Sequence, residues 1–290
     1  MIRSSVVSYL LPLVFLIASS PQLCGEPPAG KQRTTEKTEQ PFVLVGAVKV
    51  DITPDYPVRL TGYGNRTKES EGVAQRIWAR AVVIGGHKDI SGSSGEPEDD
   101  RPAVLLTADN CGIQEPMIEE VARRLAAKAG IKRERIACCS THTHCAPMVN
   151  GFAPFILGGA LPPEHQRHID RYTQEVIDKL TQAALEALAA RKPARLSWGA
   201  GTVRFAMNRR AMKDGRYTGF GEEQAGPVDH RLPILAAQDA DGKLIAVVAN
   251  YACHCTTLTG DFNQIHGDWA GCALEMLEAD HPGTIALQTI

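Results

Sequence analysis

A β-α-β pattern in the first half of the sequence is the feature that most constrains the fold. Short β-rich runs at residues 103–107 and 135–140 flank residues 116–129, where apolar side chains recur at helical spacing. Pro116 suits the first turn of this helix, and Gly130 suits its end. Because a strand, a helix and a second strand normally form a parallel pair, we predict an α/β architecture.

The remainder of the chain continues this alternation. Further strands are predicted at residues 43–50, 77–84, 244–249 and 284–289, and further helices at residues 164–190 and from Asp268 onward. We interpret the apolar stripe of each helix as a core face, formed in the last helix by Trp269, Cys272, Met276 and Leu277. The acidic, Gly- and Ser-rich residues 85–101 predict a solvent loop. We therefore expect mixed β-sheets flanked by helices in a single catalytic-type domain, residues 42–290.

The N-terminal residues indicate export. Arg3 precedes the apolar residues 6–18, which give way to a polar, Pro-rich segment, as in a cleaved secretory signal. A membrane-spanning helix would need about 20 apolar residues. We predict a signal peptide at residues 1–25 and a disordered linker at residues 26–41, because the linker composition cannot bury enough surface to fold. The expected location is secreted or periplasmic, with a lipid anchor at Cys24 disfavoured.

Charge and missing motifs exclude several classes of function. The formal net charge of -2 gives no electrostatic reason to bind nucleic acid. No Gly-x-Gly-x-x-Gly, Gly-Lys-Ser/Thr or Gly-x-Ser-x-Gly motif stands in a suitable context, which argues against nucleotide binding and serine hydrolysis.

Three histidines at the ends of predicted strands suggest a metal site. His142 and His144 are spaced one apart at the end of a strand, where alternate side chains share a face. His254 follows another apolar strand much further along the chain. Neutral imidazole is a common zinc ligand, so we predict that these two strand ends bring ligands to one Zn²⁺ ion.

The cysteines are expected to be mostly free, buried thiols, although export would permit disulfides. Of the 8 cysteines, Cys24 lies in the N-terminal region, and most of the others lie inside apolar runs, where a thiol behaves as a small hydrophobic group. Thiols beside the histidines could also join the metal, in a closed Cys/His site. These thiols are Cys145, Cys253 and Cys255.

An ordered series of short motifs resembles the N-terminal catalytic domain of the neutral/alkaline non-lysosomal ceramidase family. The motifs are Val-Gly-Ala-Val-Lys-Val-Asp-Ile-Thr-Pro at 45–54, Thr-Gly-Tyr-Gly at 61–64, Gln-Arg-Ile-Trp-Ala-Arg-Ala at 75–81, Leu-Thr-Ala-Asp at 106–109 and Thr-His-Thr-His at 141–144. Later blocks at 208–209, 228–229 and 250–256 are similar to the family as well. The resemblance spans residues 45 to 271 and is most specific at the Thr-His-Thr-His motif.

The resemblance implies roles for four residues. His142 and His254 would bind zinc, while His144 and Arg209 would line the substrate carbonyl. It also implies hydrolysis of the N-acyl amide of ceramide or a related acylated amine, of the N-acylsphingosine amidohydrolase type, by metal-activated water. His144 would pass a proton to the departing amine, and Arg209 would offset charge on the tetrahedral oxygen. We also weigh Asp109 and Asp268 as carboxylates that orient a ligand histidine.

Two departures from the family pattern leave a second hypothesis open. Cysteines stand beside both histidine segments, at positions where the family has Gly or Ser. The glutamate and tyrosine that complete the family's zinc site would lie beyond Ile290, so we expect a truncated domain with an incomplete site. The alternative function is therefore a non-catalytic exported metal-binding protein, or an inactive fragment with a closed Cys/His site. Peripheral membrane contact and the oligomeric state also remain open.

Overall fold

A mixed eight-stranded β-sheet runs through the computed structural model, which describes residues 42–86, 101–153 and 161–290. The strands are β1 (Val43–Asp51), β2 (Trp78–Ile84), β3 (Ala103–Ala108), β4 (Ile136–Ser140), β5 (Lys192–Thr202), β6 (Asn208–Lys213), β7 (Arg216–Glu223), β8 (Arg231–Gln238), β9 (Leu244–Asn250) and β10 (Ile285–Thr289). The sheet has the order β10-β9-β8-β5-β1-β2-β3-β4, and β6 and β7 form a separate hairpin. Pairs β3–β4 and β9–β10 are parallel, and the other pairs are antiparallel. The predicted α/β class is confirmed.

The predicted β-α-β unit is present between β3 and β4. Helix α1 (Glu115–Ala129) joins them, with a proline in its first turn. Gly130 ends the helix in the left-handed conformation, with φ of 65°, and its N–H bonds back to Ala126 and Leu125 carbonyls. The parallel register pairs Ala108 with Ser140, so both strands end at the same edge of the sheet.

Helix α2 (Pro163–Ala189) covers one face of the sheet. Its predicted apolar stripe is buried along its full length, from Ile169 to Ala187. The stripe packs with α1 and with the inward side chains of β1 to β4 in the larger of two apolar clusters. Burial of this face, rather than intrinsic helix propensity, stabilises the 27-residue helix.

The sheet folds back on itself. A second apolar cluster joins Val45 and Val82, from the middle of the sheet, to Ala246 and Leu287 near one end. Strand β10 accordingly contacts β2, β3 and β4 as well as its neighbour β9. This curvature brings the carboxyl ends of β4 and β9 toward each other, although several strands separate them in the sheet order.

Helix α3 (Asp268–Asp280) begins where predicted but buries a different face. Its buried apolar residues are Ala270, Gly271 and Leu274, whereas Met276, which we assigned to the core, is 69% exposed. The prediction was wrong at Met276, whereas Trp269, Cys272 and Leu277 are partly buried. Ala270 and Gly271 were missed because small residues carry little hydrophobic signal.

Four strands, β5 to β8, were not predicted. Residues 1–41, 87–100 and 154–160 lie outside the described residues, so the predicted signal peptide, the linker and most of the predicted 85–101 loop cannot be compared with the structure. Among the described residues, no helix combines the length and apolar content needed to span a bilayer.

Candidate metal centre

Three imidazoles from two distant segments of the chain meet at one point. The ring centroids of His142 and His254 are 4.2 Å apart, those of His144 and His254 are 4.7 Å apart, and those of His142 and His144 are 5.1 Å apart. The Nε2 atoms of His144 and His254 approach to 2.8 Å. Two nitrogens bound to one tetrahedral zinc ion at about 2.0–2.1 Å would stand about 3.3 Å apart. An ion bound by His254 would therefore also lie next to the His144 ring.

His142 has a backbone conformation that side chains rarely adopt. Its φ is 57°, one of four positive φ values at non-glycine positions among the residues that the structure describes. Such a conformation costs roughly 1–3 kcal/mol and persists only where surrounding contacts impose it. Here Nδ1 lies 2.5 Å from the Cys111 carbonyl oxygen. When Nδ1 donates this bond, Nε2 carries the free lone pair that binds metal.

The histidine segments are tied together through their backbones. His144 N donates to the Cys255 carbonyl at 3.3 Å. The Thr143 hydroxyl donates to the His266 carbonyl at 2.8 Å, and His266 N donates to the Cys145 carbonyl at 2.9 Å. These bonds fix the segment after β4 against both the segment after β9 and the start of α3.

Asp268 holds the segment that carries His254. Its buried carboxylate accepts hydrogen bonds from the backbone N–H groups of Thr257 at 3.2 Å and Leu258 at 2.9 Å. The indole N–H of the next residue, Trp269, lies 3.3 Å from the His254 carbonyl oxygen and donates to it. Asp268 was proposed to orient an imidazole directly, but the structure shows that it accepts from backbone amides instead. It thus constrains the loop and not the ring.

Asp109, the other carboxylate proposed to orient a histidine, has a different partner. Its Oδ2 accepts from Arg80 Nη1 at 2.8 Å and from Trp78 N at 2.9 Å. Both side chains of this ion pair are 1% exposed. A buried carboxylate needs a cation or several donors to offset its desolvation, and Arg80 on the neighbouring strand supplies the cation. For His142, the Cys111 carbonyl takes the orienting role that we assigned to a carboxylate.

Tyr63 and Gly62 form one wall beside His144. The Tyr63 ring lies 5.0 Å from the His144 ring, edge on, and its hydroxyl donates to the Leu258 carbonyl at 2.7 Å. Gly62 has φ of 92°, and a Cβ atom added to it would lie 2.3 Å from His144 Cγ. Only glycine leaves room for the ring at this distance.

Arg66 is the main buried donor under the site and is 5% exposed. Its guanidinium donates to the carbonyls of Thr61 at 2.7 Å, of Phe262 at 2.9 Å and of His144. Its Nη2 lies 3.5 Å from Cys145 Sγ. Several donors on one rigid group therefore hold three loops in a fixed arrangement.

Arg209 contacts the segment that carries His254, whereas its neighbour Arg210 contacts the β6–β7 hairpin. Arg209 Nη1 donates to Thr256 Oγ1 at 3.1 Å, two residues after His254. Arg210 lies over the Phe220 ring at 5.0 Å, on the hairpin. Of the two adjacent arginines, the one named from the sequence is therefore the one that contacts the His254 segment.

The electrostatics of the site keep two of the imidazoles neutral. Burial first, and then the positive charges of His254, His142 and Arg209, lower the pKa of His144 to about 3. The pKa of His254 falls to about 4, through burial first and then through His142 and Arg209. Neutral imidazoles are the form that binds metal, so near pH 7 no proton competes with a cation for these two nitrogens.

One group among the described residues has the donors and the spacing to hold a metal ion. It comprises Cys111, His142 and His144, whose ligand atoms all lie within 4.8 Å of one another. This nitrogen and sulfur donor set fits zinc. All seven cysteines of the described residues are free, as predicted, although only Cys111, Cys145 and Cys255 are fully buried. The group does not include the three thiols that we weighed as ligands, Cys145, Cys253 and Cys255.

Cys111, Tyr63 and Arg66 were not predicted as site residues. Tyr63 lies in a motif that we quoted for the family resemblance, so its position gave a usable signal. Cys111 follows β3 just as His142 follows the parallel neighbour β4, so both come from the same edge of the sheet. Arg66 lies in an irregular segment, where no periodicity indicates what a side chain contacts.

Comparison with known proteins gives one family. The family model "Neutral/alkaline non-lysosomal ceramidase, N-terminal" matches residues 43–288. The chain is 26% identical over 287 residues to neutral ceramidase from Pseudomonas aeruginosa, covering 97% of this chain and 38% of that protein. It is also 26% identical over 265 residues to neutral ceramidase B from Dictyostelium discoideum, covering 87% and 34%. The chain thus spans little more than a third of the length of either relative.

Solved structures agree with this match. A crystal structure of neutral ceramidase from Pseudomonas aeruginosa superposes with a TM-score of 0.68 at 25% identity, covering 86% of this chain and 38% of that one. A structure described as a ceramidase complexed with C2 gives a TM-score of 0.68 at 24% identity, covering 86% and 37%. The sheet and helices described above are therefore shared with these proteins.

Proposed function

Because the chain belongs to the neutral/alkaline non-lysosomal ceramidase family, we propose that it is the metal-binding part of an amidohydrolase that cleaves the N-acyl amide of ceramide or a related acylated amine. The convergence of His142, His144 and His254, with centroids 4.2 to 5.1 Å apart, is the observation that carries this proposal. In the proposed site, His142 and His254 bind a zinc ion. His144 and Arg209 act on the substrate.

The proposed chemistry divides between the ion and the side chains. A bound zinc ion acidifies water to a pKa of about 7 and polarises an amide carbonyl. His144 is neutral near pH 7, so it can accept a proton from the attacking water. The same imidazole then gives that proton to the departing amine, which must be protonated before it leaves. General acid–base catalysis of this kind contributes about 10²–10⁴-fold in rate.

Arg209 would stabilise the charge that forms during attack. Its hydrogen bond to Thr256 holds the guanidinium next to His254, and this cation can face the tetrahedral oxygen. Loss of one such donor costs about 10²–10³-fold in the rate constant kcat.

We also propose that the protein is exported and that it acts on its substrate at a membrane surface. An exported protein follows from the signal-like pattern of residues 1–25, and an N-acylated lipid would be met at a membrane surface. N-terminal sequencing of the protein from culture supernatant or periplasm would test the export. A mature chain that begins at Met1 and stays in the cytosol would contradict it.

The test of the hydrolase proposal is zinc binding measured together with turnover of a fluorescent N-acyl sphingosine. We expect chelation, His142→Ala and His254→Ala each to remove both zinc and activity. His144→Ala should retain zinc and lose turnover. Arg209→Ala should lower kcat by about 10²-fold or more, whereas Arg210→Ala, its neighbour on the hairpin, should not. A zinc-loaded protein that cleaves neither N-acyl amides nor esters would refute the hydrolase proposal.

One observation favours a second candidate, a non-catalytic metal-binding protein. The Cys111, His142 and His144 group contains a thiol, and closed structural zinc sites are built from cysteine and histidine. In that case His144 would be a ligand and no open position would remain for substrate. Turnover that disappears in His144→Ala while zinc remains bound would exclude this candidate.

A further inference from the structure

The β6–β7 hairpin exposes an apolar face to solvent. Phe220 is 77% exposed, Tyr217 54% and Met212 47%. Met212 pairs with Tyr217 across the two strands, and Arg210 pairs with Phe220, so the members of each pair lie on the same face. Arg210 and Met212 are two positions apart on β6, which places both pairs on one face. We call this surface the outer face of the hairpin.

The burial pattern of this hairpin is the reverse of an ordinary surface hairpin. Arg209, Ala211 and Gly219 are partly buried, whereas the residues of the outer face are exposed. An ordinary surface strand turns its apolar side chains inward and its polar side chains outward. In the described part of the chain, β6 and β7 mainly contact each other. A cluster of large apolar side chains left open in this way indicates a surface that contacts a partner or a membrane.

Basic side chains flank the apolar ones. Residues 209–218 contain four basic side chains and one acidic side chain, although the whole chain has a net charge of -2. Lys213 pairs with Arg216 at the turn, and the Arg210 guanidinium lies 5.0 Å from the centroid of the Phe220 ring. Aromatic rings accompanied by Lys and Arg are typical of segments that lie in the headgroup region of a membrane. The excess of positive charge complements anionic lipid headgroups.

The hairpin is joined to the candidate metal centre at its base. Arg209 Nη1 donates to Thr256 Oγ1, which fixes the start of β6 beside the segment that carries His254. Phe205, just before β6, is 52% exposed, and its ring lies 5.2 Å from the ring of Trp269. The Trp269 indole N–H donates in turn to the His254 carbonyl. A membrane bound at the outer face would therefore lie within the length of one short hairpin from the metal centre.

We propose that the outer face of the β6–β7 hairpin docks on a lipid bilayer that contains anionic headgroups. Its aromatic and Met side chains enter the boundary between headgroups and acyl chains, while Arg210, Lys213 and Arg216 bind the lipid phosphates. Docking holds the candidate metal centre at the surface where an N-acylated lipid lies. A lipid substrate gives this contact its purpose, so docking rests on the proposed function, but vesicle binding can be measured without turnover.

Sedimentation of the full chain with vesicles tests the docking. We expect the protein to bind vesicles of phosphatidylcholine mixed with phosphatidylglycerol more tightly than vesicles of phosphatidylcholine alone. Phe220→Ser should weaken binding to both by about 10-fold or more, because it removes one large apolar side chain from the bilayer. Met276→Ser, which removes a 69% exposed apolar side chain from α3, is the matched control and should bind like the wild type.

Substitutions at the turn separate the electrostatic part of the binding. Lys213→Gln and Arg216→Gln should each weaken binding to the anionic vesicles by about 5-fold and leave binding to neutral vesicles unchanged. Asp214→Asn removes the acidic side chain of the same turn and keeps a residue that tolerates its φ of 52°, so it should strengthen binding to the anionic vesicles. Identical binding of these three variants and the wild type to anionic vesicles would overturn the proposal.

Hydrogen exchange of the wild-type protein gives a measurement that does not depend on the folding of a variant. Anionic vesicles should slow exchange in residues 208–223 and leave exchange in α3 unchanged. Protection confined to other segments, or an unchanged vesicle affinity in Phe220→Ser, would overturn the assignment of the hairpin. A dimer that binds no vesicles and that Phe220→Ser dissociates would overturn it as well, because the outer face would then belong to a contact between two copies of the chain.

Docking and hydrolysis can fail separately. Hydrolysis of N-acyl sphingosine in detergent by a protein that binds no vesicles would refute docking and leave the hydrolase proposal standing. Vesicle binding by a protein that hydrolyses no substrate would refute the hydrolase proposal and leave docking standing. Where both hold, Phe220→Ser should lower turnover of substrate in vesicles and keep the wild-type turnover of substrate dispersed in detergent.

Discussion

Substitution of Gly62 by alanine is the sharpest test of how closely the fold constrains His144. The new Cβ would lie 2.3 Å from His144 Cγ and 2.4 Å from His144 Cβ. Carbon atoms in contact prefer about 3.5–4.0 Å, so the ring must move by about 1 Å or more. A displacement of about 1 Å at a reacting group can cost about 10²-fold in rate.

A matched variant separates this effect from backbone strain. Gly215, in the β6–β7 turn, also has positive φ, at 72°, but no atom lies within 4 Å of its added Cβ. Both substitutions should therefore cost about 1–2 kcal/mol in the free energy of unfolding, from the left-handed backbone alone. Only Gly62→Ala should move the ring and lower turnover.

Three measurements check the reasoning. Urea denaturation gives the free energy of unfolding, imidazole NMR of the metal-free protein reports the ring of His144, and hydrolysis of the fluorescent amide reports turnover. We expect a larger stability loss in Gly62→Ala, because the clash with His144 adds to the backbone cost, and an altered His144 resonance only in that variant. If both variants keep the wild-type resonance and the wild-type rate, the close packing of Gly62 against His144 does not constrain the site.

Two further predictions concern the loops and the protonation of the site. Asparagine also tolerates positive φ, but Asp268→Asn turns an amide N–H₂ group toward a backbone N–H group, so zinc affinity should fall by about 10–100-fold. Asp214→Asn, at a similar φ of 52°, is the control. Equal zinc affinities of the two variants in chelator competition would contradict the role of Asp268. The pKa values of His144 and His254 fall to about 3 and about 4 on folding. As pH falls below about 6.5, these two imidazoles therefore bind protons in the unfolded chain before they do so in the folded protein. The free energy of unfolding of the metal-free protein should accordingly decrease as pH falls from about 6.5 toward about 4. Urea titrations across this window should show a flatter profile in His144→Gln, and a pH-independent wild type would refute the prediction.

The parts of the fold that bury a regular face were predictable from sequence. The β-α-β unit and the long helix α2 show strong periodicity because one side of each element faces the core. Strands β5 to β8 lack this signal. β5 is exposed at most positions and contains Gly199 and Gly201, and both strands of the β6–β7 hairpin are largely exposed. Backbone pairing rather than an apolar face forms these strands, and backbone groups are the same at every residue type.

Some residues of the site could likewise be predicted from the sequence, and others could not. His142, His144 and His254 are predictable because strand ends in α/β proteins gather at an edge of the sheet, and the structure brings the three rings together. Their metal and catalytic roles remain predictions. The supporting contacts could not be predicted, because they run through backbone groups. A carbonyl such as that of Cys111 is present at every residue, so no residue type indicates its use.

Because the sheet is curved, the metal centre connects strands that are far apart in the sheet order. His144 and His254 are 110 positions apart and follow strands near opposite ends of the sheet order. An ion bound between them would cross-link the two ends of the sheet. It could bind both segments only after the intervening strands had paired. We therefore expect zinc to bind late in folding. We expect zinc release during unfolding to detect the separation of the two ends of the sheet before an individual strand unfolds.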